Sequence, residues 1–164
     1  MTKITPVIIG VRPSKLLSGE VGLFALRHLK KGTVINKEFN GGEEFFTKDA
    51  YKKLDVVTKR VVNAFGTRVY DGFYIIPNMN YMPISWFANH SCDPNAGFDK
   101  KLNIALIKNV KSGDEIFHDY GFSITDPDFV LHCKCGSKNC RKIITGNDWK
   151  NPEYFKKNKA YMNV

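Results

Sequence analysis

The segment CKCGSKNC places Cys133, Cys135 and Cys140 in a C-x-C-x4-C pattern. Three thiolates at that spacing can converge on one zinc ion, at about 2.3 Å each. A structural zinc takes four ligands, and the chain has only four cysteines, the remaining one being Cys92. Ligand counting therefore predicts that the C-terminal part folds back onto Cys92. Gly136 would relieve the backbone wrapped around the ion, and Arg141 and Lys142 would favour a gathering of anionic sulfurs. The competing readings are buried free cysteines, or two disulfides in a secreted chain.

Cys92 lies within NHSCDPN (residues 89–95), where several polar residue types crowd together. Ser91 and His90 make a poor hydrolase pair: adjacent side chains seldom aim at each other, and no nucleophile elbow surrounds Ser91. Asp93-Pro94-Asn95 reads as a turn, with proline fixing φ and the Asx side chains bonding nearby backbone. Two further segments carry candidate chemistry. SGEVGLFA (18–25) sets Gly19 and Gly22 at a strand start, as a backbone approaching a ligand would require, although a hairpin turn reads the same way. GDEIFHDYGF (113–122) brings His118, Asp119 and Tyr120 together; on a strand, His118 and Tyr120 share a face. A tyrosine hydroxyl beside a histidine could orient a substrate or move a proton.

The elements that must position these residues are mostly short strands. PVIIGV, GLFAL and TVI read as strands, with Lys30–Gly32 a turn. Thr47 caps a helix running through Tyr51, Leu54, Val57 and Val61. TRVYDGFYII is a hairpin turning at Asp71-Gly72. NIALIKNV and EIFHDYGF are strands joined by a Lys-Ser-Gly turn. The expected class is mostly β with α insertions. No βαβ alternation supports a doubly wound nucleotide-binding sheet.

The 164 residues suit one domain with a sizeable core. No apolar run approaches the roughly 18–20 residues of a membrane span. The start lacks a signal-peptide pattern, so a soluble intracellular protein, cytoplasmic or nuclear, is expected. The net charge of +9 suggests nucleic acid, an acidic surface or an anionic cofactor, although scattered lysines also serve simple solvation.

Taken in order, GEVGLFA, NHSCDPN, GDEIFHDYGF and CKCGSKNCR resemble the SET-domain protein lysine methyltransferases that carry a post-SET zinc motif. The likeness runs from about Val7 to Asp148. It implies several small β-sheets around a pseudoknot, formed where the NHSC and DY segments meet. It divides the chain into a SET domain (1–125), a post-SET segment (126–148) and a basic tail (149–164). It also implies S-adenosylmethionine (SAM) as cofactor, S-adenosylhomocysteine (SAH) as product, and a lysine entering from the opposite face. By the same likeness Val21, Gly22 and Leu23 would follow SAM through backbone contacts, and Asn89 and His90 would also hold it. Tyr120 would be the catalytic tyrosine, Tyr74 and His118 would line the substrate channel, and Cys92, Cys133, Cys135 and Cys140 would ligate structural zinc. The partner would be a protein presenting the target lysine, a histone among the candidates, with Glu43, Glu44, Asp126 and Asp128 available as an acidic groove. Nucleosomal DNA is a further candidate contact, suggested by the charge.

The chain departs from the family pattern at three places. The first glycine of Gly-x-Gly is Glu20, the aromatic residue two before the catalytic tyrosine is His118, and an arginine common before F-x-N-H is Trp86. The first two departures favour a second reading: a zinc-stabilised SET-fold binding module without catalysis. A zinc nucleic-acid binder rests on the charge alone.

Overall fold

The computed structural model describes residues 6–36 and 42–164. Among the described residues, eleven strands, β1 to β11, form three sheets. The largest takes β1 (Ile9–Pro13), β2 (Val21–Ala25), β9 (Glu115–His118), β7 (Ala96–Phe98) and β8 (Ile104–Leu106) in that order, with β6 (Asn89–His90) also pairing β9. A second sheet orders β3 (Glu44–Thr47), β5 (Gly72–Ile75) and β4 (Thr67–Val69), and a third pairs β10 (Val130–His132) with β11 (Ile143–Thr145).

VGLFA lacks an alternating pattern because β2 lies between β1 and β9 and is covered on both faces. Leu23, Phe24 and Ala25 are all buried, and Leu23 joins Ile9, Leu106, Val110 and Ile116 in the main core. The feature that defines the topology is parallel pairing of β6 with β9, Asn89 opposite Phe117 and His90 opposite His118. The β7–β8 hairpin lies between them in sequence, so NHSC and the strand before Asp119-Tyr120 meet only in the folded chain. Ser91 N–H donates to His118 C=O, and Asn95 N–H to Phe117 C=O.

Several local expectations change. The single helix is two: Thr47 caps α1 (Lys48–Lys52) by accepting from Ala50 N–H. Asp55 then caps α2 (Val56–Phe65) by accepting from Val57 and Thr58. A mid-pattern Asp competes for backbone N–H groups and restarts the helix. Val57, expected on the apolar face, is consequently exposed, while Val62 is buried against Phe73 and Ile75. The hairpin turns at Tyr70-Asp71, with Val69 opposite Gly72. Gly72 is instead the first residue of β5, where a Cβ would fall 2.1 Å from Phe46 O on β3. TVI forms only an isolated bridge, Val34 to Ala105. The Lys-Ser-Gly turn is present, with Gly113 at φ +85°.

The polar tail is part of the folded structure. It carries α3 (Pro152–Asn158), capped by Asn151, and ends against the 3-10 turn Tyr120–Phe122, where Asn163 N–H donates to Phe122 C=O. Asp126 is 2% exposed and takes two bonds from Arg68, at 3.0 and 2.7 Å, with Lys48 at 3.4 Å. It is therefore unavailable to an acidic groove; it fastens β4 to the start of the cysteine-bearing segment. Arg68→Ala would strand this carboxylate away from water. We expect a loss of about 3 kcal/mol, read as a thermal midpoint lower by roughly 6–12 °C, part of which Asp126→Asn should restore.

Candidate cofactor and zinc site

The four cysteine sulfurs lie within 4.8 Å of one another, Cys92 and Cys133 being 3.8 Å apart. That is about the sulfur–sulfur separation of a tetrahedral zinc–thiolate site, so this donor set fits zinc and leaves no open position. Gly136 does take a left-handed conformation, φ +65°. Burial pushes the Cys133 thiol up, and likewise Cys92, to about 11. A divalent ion would replace those protons and hold the sulfurs as thiolates.

The NHSC segment is occupied on every side. Asn89 Nδ2 donates to Val21 C=O at 2.8 Å and reaches Glu115 at 3.3 Å. His90 Nδ1 accepts from Tyr120 N–H at 3.1 Å, and Nε2 lies 3.5 Å from Cys92 Sγ. Accepting at Nδ1 puts the proton of the neutral ring on Nε2. The nearby Asp119, 3.6 Å from Nδ1, is therefore no ion-pair partner at neutral pH. Burial lowers the His90 pKa to about 4, against the pull of Asp119.

Asp119 itself is 1% exposed and held by both terminal nitrogens of Arg141, each at 2.7 Å. Arg141 also donates its backbone N–H to Cys92 Sγ at 3.3 Å, and its guanidinium lies 4.5 Å from the Tyr154 ring centroid. Tyr154 closes on the turn so tightly that a Cβ at Gly121 would sit 2.6 Å from its hydroxyl.

The glycine segment is organised by Glu115, a buried carboxylate with no cationic partner within ion-pair distance among the described residues. Its oxygens accept from the Ser14 hydroxyl at 2.8 Å and Lys15 N–H at 2.9 Å. Gly22 must be glycine here, because a Cβ would fall 2.2 Å from Glu115 Oε1. Sequence reasoning missed Ser14, Glu115 and Tyr154 as site components, and it placed Arg141 beside the sulfurs without its bond to Asp119; the available signal for Glu115 was a charged residue opening an otherwise apolar strand. Trp86, at the arginine position of the family pattern, stacks on Phe65 with ring centroids 6.2 Å apart.

Two depressions adjoin these elements. One, about 560 Å³, is lined by Leu17, Glu20, Asn89, His90, Leu131 and Lys134 among others. It abuts the cysteine cluster and is large enough for a nucleoside-sized ligand. The other, about 310 Å³, is an aromatic cleft of Phe45, Tyr70 and Tyr74 with Asp71 at its edge. Of the expected cofactor residues, Asn89 and His90 line the first, Val21 is exposed, Gly22 faces Glu115, and Leu23 is core. Tyr74 lines the second. The expected strand face shared by His118 and Tyr120 is absent, because β9 stops at His118 and Tyr120 begins a 3-10 turn. His118 lines neither depression. Its ring packs edge-on to Phe98 and Phe122, with Nδ1 buried and unpartnered. Tyr120 is half-buried, 5.3 Å from the His90 ring. Burial, then the charge of Glu20, raises its pKa, so it remains a phenol at neutral pH.

A parallel knot of NHSC against the strand before Asp-Tyr, closed by a four-cysteine cluster, defines a SET fold with a post-SET zinc arm. Comparison with known proteins agrees: residues 20–121 match the SET domain model, more than half of the chain, and the protein belongs to the SET-domain family. It is 33% identical over 93 residues to histone-lysine N-methyltransferase Su(var)3-9 of Drosophila melanogaster, covering 45% of this chain and 15% of that protein. It is 29% identical over 157 residues to histone-lysine N-methyltransferase SUV39H1-A of Danio rerio, covering 75% and 38%. A probable histone-lysine N-methyltransferase, set-23 of Caenorhabditis briggsae, is 34% identical over 104 residues, covering 58% and 42%. The chain thus spans less than half the length of each. Among the described residues, no helix is long and apolar enough to cross a membrane.

Two predictions follow from this geometry. The purified protein should carry one zinc per chain, and chelation should lower the thermal midpoint and expose the 133–140 arm to protease. Cys135→Ser should do the same. Stability should also fall in acid. Burial lowers the His118 pKa from 6.5 to about 4 in the folded state, so the unfolded chain binds the proton first as pH drops. The stabilisation is present above about pH 6.5 and is lost towards pH 4, by roughly 2–3 kcal/mol. His118→Phe should narrow the gap between thermal midpoints measured at pH 8 and pH 5.

Proposed function

We propose that this protein is a SAM-dependent protein lysine N-methyltransferase. The observation that carries the reading is Tyr120: a half-buried, un-ionised phenol fastened through its backbone N–H to His90, a residue that itself lines a cavity of nucleoside size. The cavity walls suit SAM, with Asn89 fixed by Val21 and Glu115, and Leu17 and Leu131 giving apolar surface. Both His90 ring nitrogens are engaged within the protein, so its backbone is what it offers a cofactor. Bound SAM would supply a methyl already activated on a sulfonium.

The protein's part is then positioning and desolvation. A free lysine has a pKa of about 10.4 and is nearly all ammonium at neutral pH. Entry into an apolar channel favours the neutral, nucleophilic amine. The Tyr120 hydroxyl, kept un-ionised, would accept from or donate to that amine and aim it, rather than remove its proton as a strong base. His90 and Asp119 hold the Tyr120 turn still, and zinc would close the wall formed by Leu131–Cys135.

The substrate reading is a protein segment carrying the lysine. The exposed carboxylate of Asp71, which lines the aromatic cleft, and that of Glu44, next in sequence to its Phe45, favour a basic segment. A histone tail fits that description, matches the names of the relatives, and would place the protein at chromatin.

Incubation with labelled SAM and a lysate, followed by mass spectrometry, should locate methyl groups on lysine side chains. Tyr120→Phe should lower turnover by roughly a hundredfold or more while leaving SAM affinity near wild type. SAM binding with no transfer to any substrate would replace this reading with a binding module; no SAM binding would end both.

A further inference from the structure

Glu20 stands where the family pattern has glycine, and its surroundings give it a definite position. Its N–H donates to Leu17 C=O at 3.1 Å, and its C=O accepts from Ser14 N–H at 2.9 Å. Ser14 is in turn bound to the buried Glu115. The Glu20 backbone is therefore pinned on both sides, and the residue lines the 560 Å³ cavity together with Asn89 and His90. Among the described residues, the only lysine or arginine lining that cavity is Lys134, between two of the clustered cysteines. The Glu20 charge also contributes to raising the Tyr120 pKa, which puts the carboxylate within electrostatic reach of the reacting end of the site.

A carboxylate carried on a pinned backbone at the edge of a cavity acts on charge differences between ligands. The methyl donor and its product differ by one positive charge, because the sulfonium becomes a neutral thioether when the methyl leaves. The amino-acid end is the same in both. A carboxylate near the sulfur therefore separates the two ligands, whereas one near the amino-acid end does not.

We propose that Glu20 is a specificity-determining residue that favours the cationic methyl donor over the neutral demethylated product. The inference rests on SAM being the cofactor. Its consequence is a site that releases SAH readily, so that product competes weakly with fresh donor.

The test is equilibrium binding, measured by calorimetry on the zinc-loaded full chain with SAM, SAH and sinefungin, whose amine carries the positive charge without transferring a methyl. Wild type should prefer SAM and sinefungin to SAH. Glu20→Gln, of the same size, and Glu20→Gly should each shrink that preference by about 3–10-fold, mainly by weakening the two cations. Raising the salt should shrink the wild-type preference and leave the Glu20→Gln ratio nearly unchanged. Equal weakening of all three ligands would place Glu20 at the amino-acid end and overturn the proposal. So would a SAM-to-SAH ratio that the substitutions leave unmoved. Failure of wild type to bind any of the three would instead remove the methyltransferase reading.

Discussion

The Asp119 carboxylate is the constraint from which the arrangement of the site follows. A buried anion is tolerable only when it is paired and hydrogen-bonded. Here Arg141 supplies the charge and two of the bonds, and Gly121 N–H supplies a third. Arg141 is the residue after the last cysteine, and its own N–H points at Cys92 Sγ. The guanidinium can reach Asp119 only if the arm carrying Cys133, Cys135 and Cys140 has closed on Cys92. Closure of the cysteine arm on Cys92 and the geometry of the Tyr120 turn are therefore one event rather than two. Tyr154 extends the same dependence into the C-terminal helix, since it covers the guanidinium and abuts Gly121.

His90 adds a directional element. Its Nδ1 must stay unprotonated to receive Tyr120 N–H, and burial ensures that it does. Its Nε2–H then faces the Cys92 sulfur, where a proton donor favours the thiolate form. One ring thus joins the metal side of the knot to the tyrosine side. Ser91 has a modest structural role, its hydroxyl accepting from Asp93 N–H at the start of the turn.

The four-cysteine cluster was legible in the sequence because ligand number is discrete: three closely spaced cysteines need a fourth, and only Cys92 was available. The family motifs located the knot, but periodicity could not. β6 has two residues and β7 three, too short for any alternation to register. The one helix expected through Tyr51, Leu54, Val57 and Val61 is two because Asp55, inside that span, caps a second helix. His118 was placed by analogy with an aromatic channel residue. Its aromatic size was the correct part, since Phe98 and Phe122 hold it on its edges. Its separation from Tyr120 was hidden because strand geometry was extended two residues beyond the end of β9.

The two glycine positions of the family's Gly-x-Gly motif show why one can change and the other cannot. A family glycine is retained either because the backbone needs positive φ or because a side chain has no room. Gly22 is of the second kind, since the Glu115 carboxylate already fills the place of its Cβ. The loop's need for positive φ is met at Gly19, φ +85°, where a Cβ would meet nothing within 4 Å. Glu20 is absent from the residues with positive φ and sits exposed at the cavity edge. With the tight bend carried one residue earlier, position 20 is free to hold a side chain, and the one it holds brings a charge to the cavity.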